Sequence, residues 1–405
     1  MLSPTFSAGI VAASASAAAS VLIILSQRWH GKHTLDHDLD GVQKFHTTAV
    51  PRIGGMALVF ALLATLALCQ PWAFDLLPTA QLSIAALLLL ASAPAFLSGI
   101  IEDLTKTVSV KARLLAAVSS ALIASWLLGA TVDELNIWGI DTLLAWGPLA
   151  LAITAVVVSG GVHAINIIDG FNGLAALTVM VMLAAFGVLA WQAGDELVTQ
   201  LALLGFGATA GFVLVNYPTG RLFLGDGGAY FLGFWVAEIA LLLLVRNASV
   251  NAWQVLSVCA YPVIEVLYSI YRRKVVRHAS PGAPDGLHLH TLVYRRVVRK
   301  FLRDDACKPW KRNAAVALVI VPCVALAATA TVLAGDTLLG SVTLVLAQLL
   351  TYLLVYTRLV RCRWGARLAS GGHGTTLHAA RAQDMVNERD LLDGPDYAMP
   401  QKKQA

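Results

Sequence analysis

Four acids in this 405-residue chain sit where acids are costly. Glu102 and Asp103 end an apolar run in GIIEDL, Asp169 lies in HAINIIDGFNGLA, and Asp226 lies in RLFLGDGGAYFLG. A charge at mid-bilayer costs at least about 2.5–3.5 kcal/mol, so acids this close to membrane-length apolar runs need a compensating role. Adjacent carboxylates can share a metal ion, or divide the work of ligand and general base. Around Asp169 stand Asn166, Asn172, Gly170 and Gly173. The glycines let backbone approach a ligand closely, and the start of the following helix favours an anion. An ordinary capped turn accounts for Asn172 and the glycines, but less well for Asp169. Three glycines flank Asp226 in the same way, ten residues after Asn216. Together these groups suit a divalent cation acting on a nucleotide diphosphate. The chain has no GxxxxGK[ST] loop, which argues against ATP-driven chemistry.

Cations and histidines complete the set. Pro51, Arg52, Gly54 and Gly55 form a bend at the start of an apolar run, with Arg52 available to a phosphate. The basic stretch after Arg272 contains His288 and His290, which would share one side of a strand or line a turn. With no cysteine or acid pair beside them they are a weak metal site. Hydrogen bonding to a diphosphate or a base suits them better. The five cysteines form no CxxC pair, so neither a disulfide framework nor a structural zinc site is expected.

The elements that must position these groups are membrane helices. The chain is 58% hydrophobic and 13% charged, with a mean hydropathy of +0.71. This composition predicts an all-α polytopic membrane protein, because helices satisfy their own backbone in lipid. About eleven transmembrane helices are expected, over 7–25, 53–69, 81–101, 114–130, 149–165, 174–191, 197–215, 230–245, 253–271, 314–333 and 338–356. The first run lacks a basic leader, and its charges Arg28 and Lys32 follow it. It therefore reads as a span with the N-terminus outside rather than a signal peptide. Alternation from there puts 28 of the 29 Lys and Arg on the inner side, with Arg246 the exception, and the C-terminus in the cytoplasm. The expected organisation is one catalytic transmembrane domain, 1–360, with cytoplasmic loops 27–52, 102–113, 166–173, 216–229 and 272–313, and a loosely ordered cytoplasmic tail, 361–405. All four acids then share one face. The inner cations suit anionic headgroups and nucleotides, and no nucleic-acid partner is expected.

These motifs, in this order over about residues 40–300, resemble the bacterial polyprenyl-phosphate N-acetylhexosamine-1-phosphate transferases. That superfamily, glycosyltransferase family 4, includes phospho-N-acetylmuramoyl-pentapeptide transferase. The resemblance implies transfer of a sugar-1-phosphate from a UDP-N-acetylhexosamine such as UDP-GlcNAc to undecaprenyl phosphate. UMP is released, as the first step of O-antigen or other surface-polysaccharide assembly in the bacterial inner membrane. It implies Mg²⁺, with Mn²⁺ as the alternative, held by Asp226 and Asp103. Glu102, Asp103 and Asp169 become the catalytic acids, and Arg52, Asn166, Asn216, His288 and His290 the substrate-binding residues. A homodimer is compatible with the superfamily. Three departures stand out: Glu102 replaces the usual first Asp, Asn172 stands where many members carry a second Asp, and the histidine motif ends His290-Thr291 where some carry a further His. The other reading of the same acids is a cation-coupled secondary transporter, although transporter acids usually sit near the bilayer midplane.

Overall fold

A bilayer-length apolar run closes its own backbone hydrogen bonds by coiling into a helix; nine of the eleven expected runs do so as one long helix, one is broken into two helices and one is a shorter helix. The computed structural model describes residues 4–36, 49–70, 77–276, 278, 285–303, 305, 307–308 and 310–361. Parts of two expected loops, 37–48 and 279–284, and the expected tail from 362 onward lie outside the described residues. Among those described there is no strand beyond an isolated bridge between Leu35 and Pro51. Packing divides the chain into Met1–Thr357 and Arg358–Ala405, and the site lies wholly within the first.

The elements run α1 (Pro4–Leu25), α2 (Gln27–Thr34), α3 (Gly54–Leu68), α4 (Thr79–Thr105), α5 (Val110–Leu128), α6 (Ile140–Leu144), α7 (Gly147–Ile168), α8 (Leu174–Gln192), α9 (Glu196–Asn216), α10 (Gly225–Arg246), α11 (Ala252–Val258), α12 (Ala260–Tyr271), α13 (Leu289–Val293), α14 (Arg299–Phe301), α15 (Trp310–Ala334) and α16 (Leu338–Val360). Among the described residues, nine of these are long and apolar enough to span a bilayer. The run at 53–69 yields only the 15-residue α3. The span expected at 253–271 is a bent pair: α11 and α12 meet at Cys259 with a bend of 83°. Pro262 lies in the first turn of α12, where its missing N–H costs nothing, whereas a continuous helix would lose a bond there.

Helix α10 is the axis of the bundle, packed by α3, α4, α7, α8 and α9. Between Ala229 and Val245 its sequence is apolar except for the buried Glu238, as suits a helix enclosed by neighbours. Glycines let its neighbours approach. Trp235 fills the notch at Gly205 and donates its indole N–H to the Leu201 carbonyl at 3.2 Å. At its start, a Cβ on Gly99 would fall 2.5 Å from Gly227 Cα and 2.6 Å from the Asp226 carbonyl carbon. Gly99→Ala is therefore expected to push α4 from α10 at a cost of about 1–3 kcal/mol. The check is a lower Tm for the purified protein in detergent; an unchanged Tm would show that these helices part freely.

Alternation of the helices sends the end of α4, the start of α5, the end of α7, the end of α9 and the start of α10 to one end of the bundle. At the opposite end, Arg246 grips Asp195 through two hydrogen bonds of 2.7 and 3.1 Å. Asp195 also caps α9 through the Val198 N–H. Burial works against that carboxylate, but these donors hold it below the usual range. Arg246, the cation left out of the expected inner-side bias, is thus paired locally.

Candidate active site

Segment 50–55 brings Arg52 to the acids. The Arg52 N–H bonds the Thr34 carbonyl, the Phe223 N–H bonds the Pro51 carbonyl, and Gly54 and Gly55 donate to Phe223 and Leu224. The bend expected at Pro51–Gly55 is thus a clamp between the end of α2 and the approach to α10. Gly225 completes it with a φ of +74°, and a Cβ there would strike the Arg52 carbonyl. Only glycine tolerates both demands.

Glu102 and Asp103 lie in the last turn of α4, which runs beyond the expected 101. Asp103 has a side chain with no exposure. Its oxygens accept the N–H groups of Asp226 at 3.0 Å and Gly227 at 2.9 Å, filling orphan donors at the start of α10. Both oxygens of this expected metal ligand are thus engaged in holding the backbone of Asp226. Glu102 turns away: it accepts the Val108 N–H at 2.8 Å and stands 4.0 Å from Arg113.

Asp226, in the first turn of α10, is ringed by donors. Arg113 Nη1 reaches Oδ2 at 2.9 Å, Asn166 Nδ2 reaches Oδ1 at 3.2 Å, and Arg52 Nη2 lies 3.5 Å from Oδ1. Arg52 also touches Asp103 at 3.5 Å and Asp36 at 3.4 Å. Burial opposes its charge, but Asp103, Asp226, Asp36 and Asp169 outweigh it, and Arg52 is held above its ordinary pKa. Asp169 follows the last turn of α7. Burial first, then the like charge of Asp226, pushes it up to about 7.

Asn216 and Asn172 set the loops rather than pointing into the cluster. Asn216 accepts the Gly173 N–H at 2.8 Å and donates to the Leu222 carbonyl at 2.7 Å. Asn172 donates to the Pro218 carbonyl at 3.0 Å. The histidines sit at the start of α13, neither on a strand nor in a plain turn, with their rings stacked 5.2 Å apart. His290 packs edge-on against Phe171, and its Nε2 borders Gly170, next to Asp169. Burial, then His288, pushes His290 down to about 3, so it is a neutral imidazole.

The arrangement therefore joins Arg52, Glu102, Asp103, Asn166, Asp169, Asp226 and His290 at one end of the bundle. His288 stacks on His290, and Asn216 holds the loop after Asp169 through the Gly173 N–H. Sequence reasoning missed His163, one turn before Asn166, whose ring packs edge-on against Tyr230 at 5.4 Å. Its Nε2, Arg113 Nε and His290 Nδ1 are buried with no hydrogen-bond partner among the described residues. These are the polar atoms an anionic ligand would satisfy. The acids also fit a hard cation. No three Asp, Glu, His or Cys side chains among the described residues are arranged to hold a metal by themselves. Mg²⁺, however, usually takes only one or two carboxylates and completes its shell with water and substrate phosphates. Asp226 and Asp169, near enough that the charge of Asp226 acts on Asp169, are the pair that would offer such a donor set.

Residues 85–244 match the model of glycosyl transferase family 4. The stretch holds Glu102, Asp103, His163, Asn166, Asp169, Asn216 and Asp226, but not Arg52, His288 or His290. The chain is 26% identical over 249 residues to a probable undecaprenyl-phosphate N-acetylglucosaminyl 1-phosphate transferase of Bacillus subtilis, covering 61% of this chain and 66% of that one. It is 29% identical over 259 residues to phospho-N-acetylmuramoyl-pentapeptide-transferase of Anoxybacillus flavithermus, covering 60% and 75%. It is 25% identical over 266 residues to undecaprenyl-phosphate alpha-N-acetylglucosaminyl 1-phosphate transferase of Escherichia coli, covering 64% and 69%. The matches thus span about two thirds to three quarters of these relatives' own lengths.

Proposed function

We propose that this chain, a member of glycosyl transferase family 4 through residues 85–244, transfers a sugar-1-phosphate from a UDP-sugar to a polyprenyl phosphate. The observation that carries the reading is the meeting of Asp103, Asp169 and Asp226, from the ends of three separate helices, with Arg52, Arg113 and His290 at one end of a membrane bundle. The relatives' printed names support undecaprenyl phosphate as acceptor and N-acetylglucosamine-1-phosphate as the transferred group. The inner-side bias of the basic residues supports a cytoplasmic site, with the N-terminus outside, in a bacterial inner membrane. A surface glycan such as O-antigen is the pathway this reading favours.

A phosphate oxygen of the lipid attacks the β-phosphorus of the UDP-sugar. The bond from that phosphorus to the bridging oxygen breaks, and UMP leaves. Phosphoryl transfer of this kind depends mainly on positioning and charge neutralisation. Arg113 and Arg52, already turned toward Asp226, orient the phosphates. Asp169, poised near neutrality, takes the lipid phosphate's proton where it still carries one. Asp103 acts through the backbone of Asp226, and Asn216 through the loop that carries Asp169. Asp226 and Asp169 would hold Mg²⁺, which would supply neutralisation of charge on the diphosphate.

The purified chain is expected to release UMP from UDP-GlcNAc and undecaprenyl phosphate with Mg²⁺ and to stop in EDTA. Release that persists in EDTA would remove the metal from the reading. No release across a panel of UDP-sugars, together with solute uptake into vesicles, would favour transport instead. Transport has less support, because these acids cluster at helix ends rather than at the midplane.

A further inference from the structure

The histidine motif is held from behind by a carboxylate that no motif contains. Glu265 lies within the otherwise apolar α12 and its side chain has no exposure. A carboxylate taken out of water is strongly unfavourable unless its lone pairs are filled. Three groups fill these. His288 Nδ1 reaches Oε1 at 2.9 Å, the Leu289 N–H lies 3.2 Å from both oxygens, and the Tyr352 hydroxyl donates to Oε2 at 3.0 Å. Tyr352 comes from α16, whose buried residues Ser341, Val345, Tyr352 and Tyr356 form one face of the helix. Next to it, Arg272 links Asp285, the Leu287 carbonyl and Tyr356, so both ends of the loop that carries His288 are fastened to α12 and α16.

We infer that Glu265, backed by Tyr352, is a positioning residue for the histidine pair. It fixes the His288 ring, on which His290 stacks beside Gly170 and Asp169. A hydrogen bond to one ring nitrogen selects the tautomer and the ring plane. Nδ1–H of His288 is committed to Glu265, so Nε2 is the nitrogen turned toward Asp285, 3.8 Å away. The stacking, at an interplanar angle of 10°, passes that plane to His290. The last membrane helix thereby takes part in shaping a site formed by the loops before it.

The kinetic arm rests on the proposed UMP-releasing reaction; the spectroscopic arm does not. In the purified full chain, Glu265→Ala is expected to lower kcat/KM about tenfold, the scale on which outer-shell partners of a working histidine act. Glu265→Gln keeps an acceptor for His288 Nδ1–H and restores most of the loss, and Tyr352→Phe falls between them. The double variant Glu265→Ala with His288→Ala is no slower than His288→Ala alone. In ¹⁵N-histidine spectra, the Nδ1-protonated signal that disappears in His288→Ala shifts in Glu265→Ala. Losses that add in the double variant, or a His288 signal that ignores Glu265, would overturn the inference and leave Glu265 a support of the fold only. A wild-type chain that releases no UMP would defeat the transfer reaction, while the spectra would still decide this point.

Discussion

Asp226→Asn is expected to reduce UMP release by about a thousandfold or more, the scale of losing a principal electrostatic group at a transferring phosphate. The substitution preserves shape and removes charge alone. In the native site one carboxylate faces Arg113 at 2.9 Å, Arg52 at 3.5 Å and the Asn166 amide at 3.2 Å. With an amide there, two guanidiniums face each other with less negative charge between them, and the proposed cation would lose a ligand. The backbone of residue 226 stays where Asp103 and the glycine contacts hold it, so the fold should persist. The measurement is the rate of UMP release together with Tm in detergent. Retention of more than a tenth of the wild-type rate, in a protein of normal Tm, would sink the central role given to Asp226.

The parts of this site that were legible in the sequence are those whose cost shows locally. Asp169 and Asp226 stand out because glycine and asparagine surround an acid at the end of an apolar run. Helices are legible because bilayer length and apolarity coincide in few other ways. What pairs across the bundle leaves no such trace. Asp103 reads as a metal ligand from its neighbour Glu102, yet its contacts are with backbone 123 and 124 residues away. Asn216 reads as a ligand contact, and its two polar atoms tie loops together. Glu265 did carry a signal, a single acid inside an apolar run, which marks an intramembrane functional group as strongly as the acids at run ends do. It passed unnoticed because its partners, His288 and Tyr352, lie 23 and 87 residues away. The break at Cys259 had a similar faint mark in Pro262.

Asp169→Asn is expected to abolish most activity and yet raise the stability of the metal-free protein at alkaline pH. The sign follows from the pKa. Burial, and the like charges of Asp226 and Asp103, raise the Asp169 carboxyl from 3.8 to about 7 in the folded chain. A group raised on folding contributes its full stabilisation below the unfolded value, and the contribution is lost as pH rises through about 7. At pH 8 in EDTA the wild-type chain therefore carries a buried charge that the asparagine variant lacks. The expected gain is about 2 kcal/mol, less than the full shift implies because Asp169 keeps some contact with water. At pH 4 the carboxyl is largely neutral in the folded chain, and the two melting temperatures should converge. Added Mg²⁺ should stabilise the wild type at pH 8 more than the variant, which keeps Asp226 but lacks the second carboxylate. A variant no more stable than wild type at pH 8 in EDTA would show that Asp169 is solvated or already neutralised by Arg52. Together with activity in the variant, that would remove Asp169 from both the proton transfer and the cation site. The opposite outcome, stability gained where activity is lost, is what a carboxylate held against its own solvation for the sake of a phosphate ligand should produce.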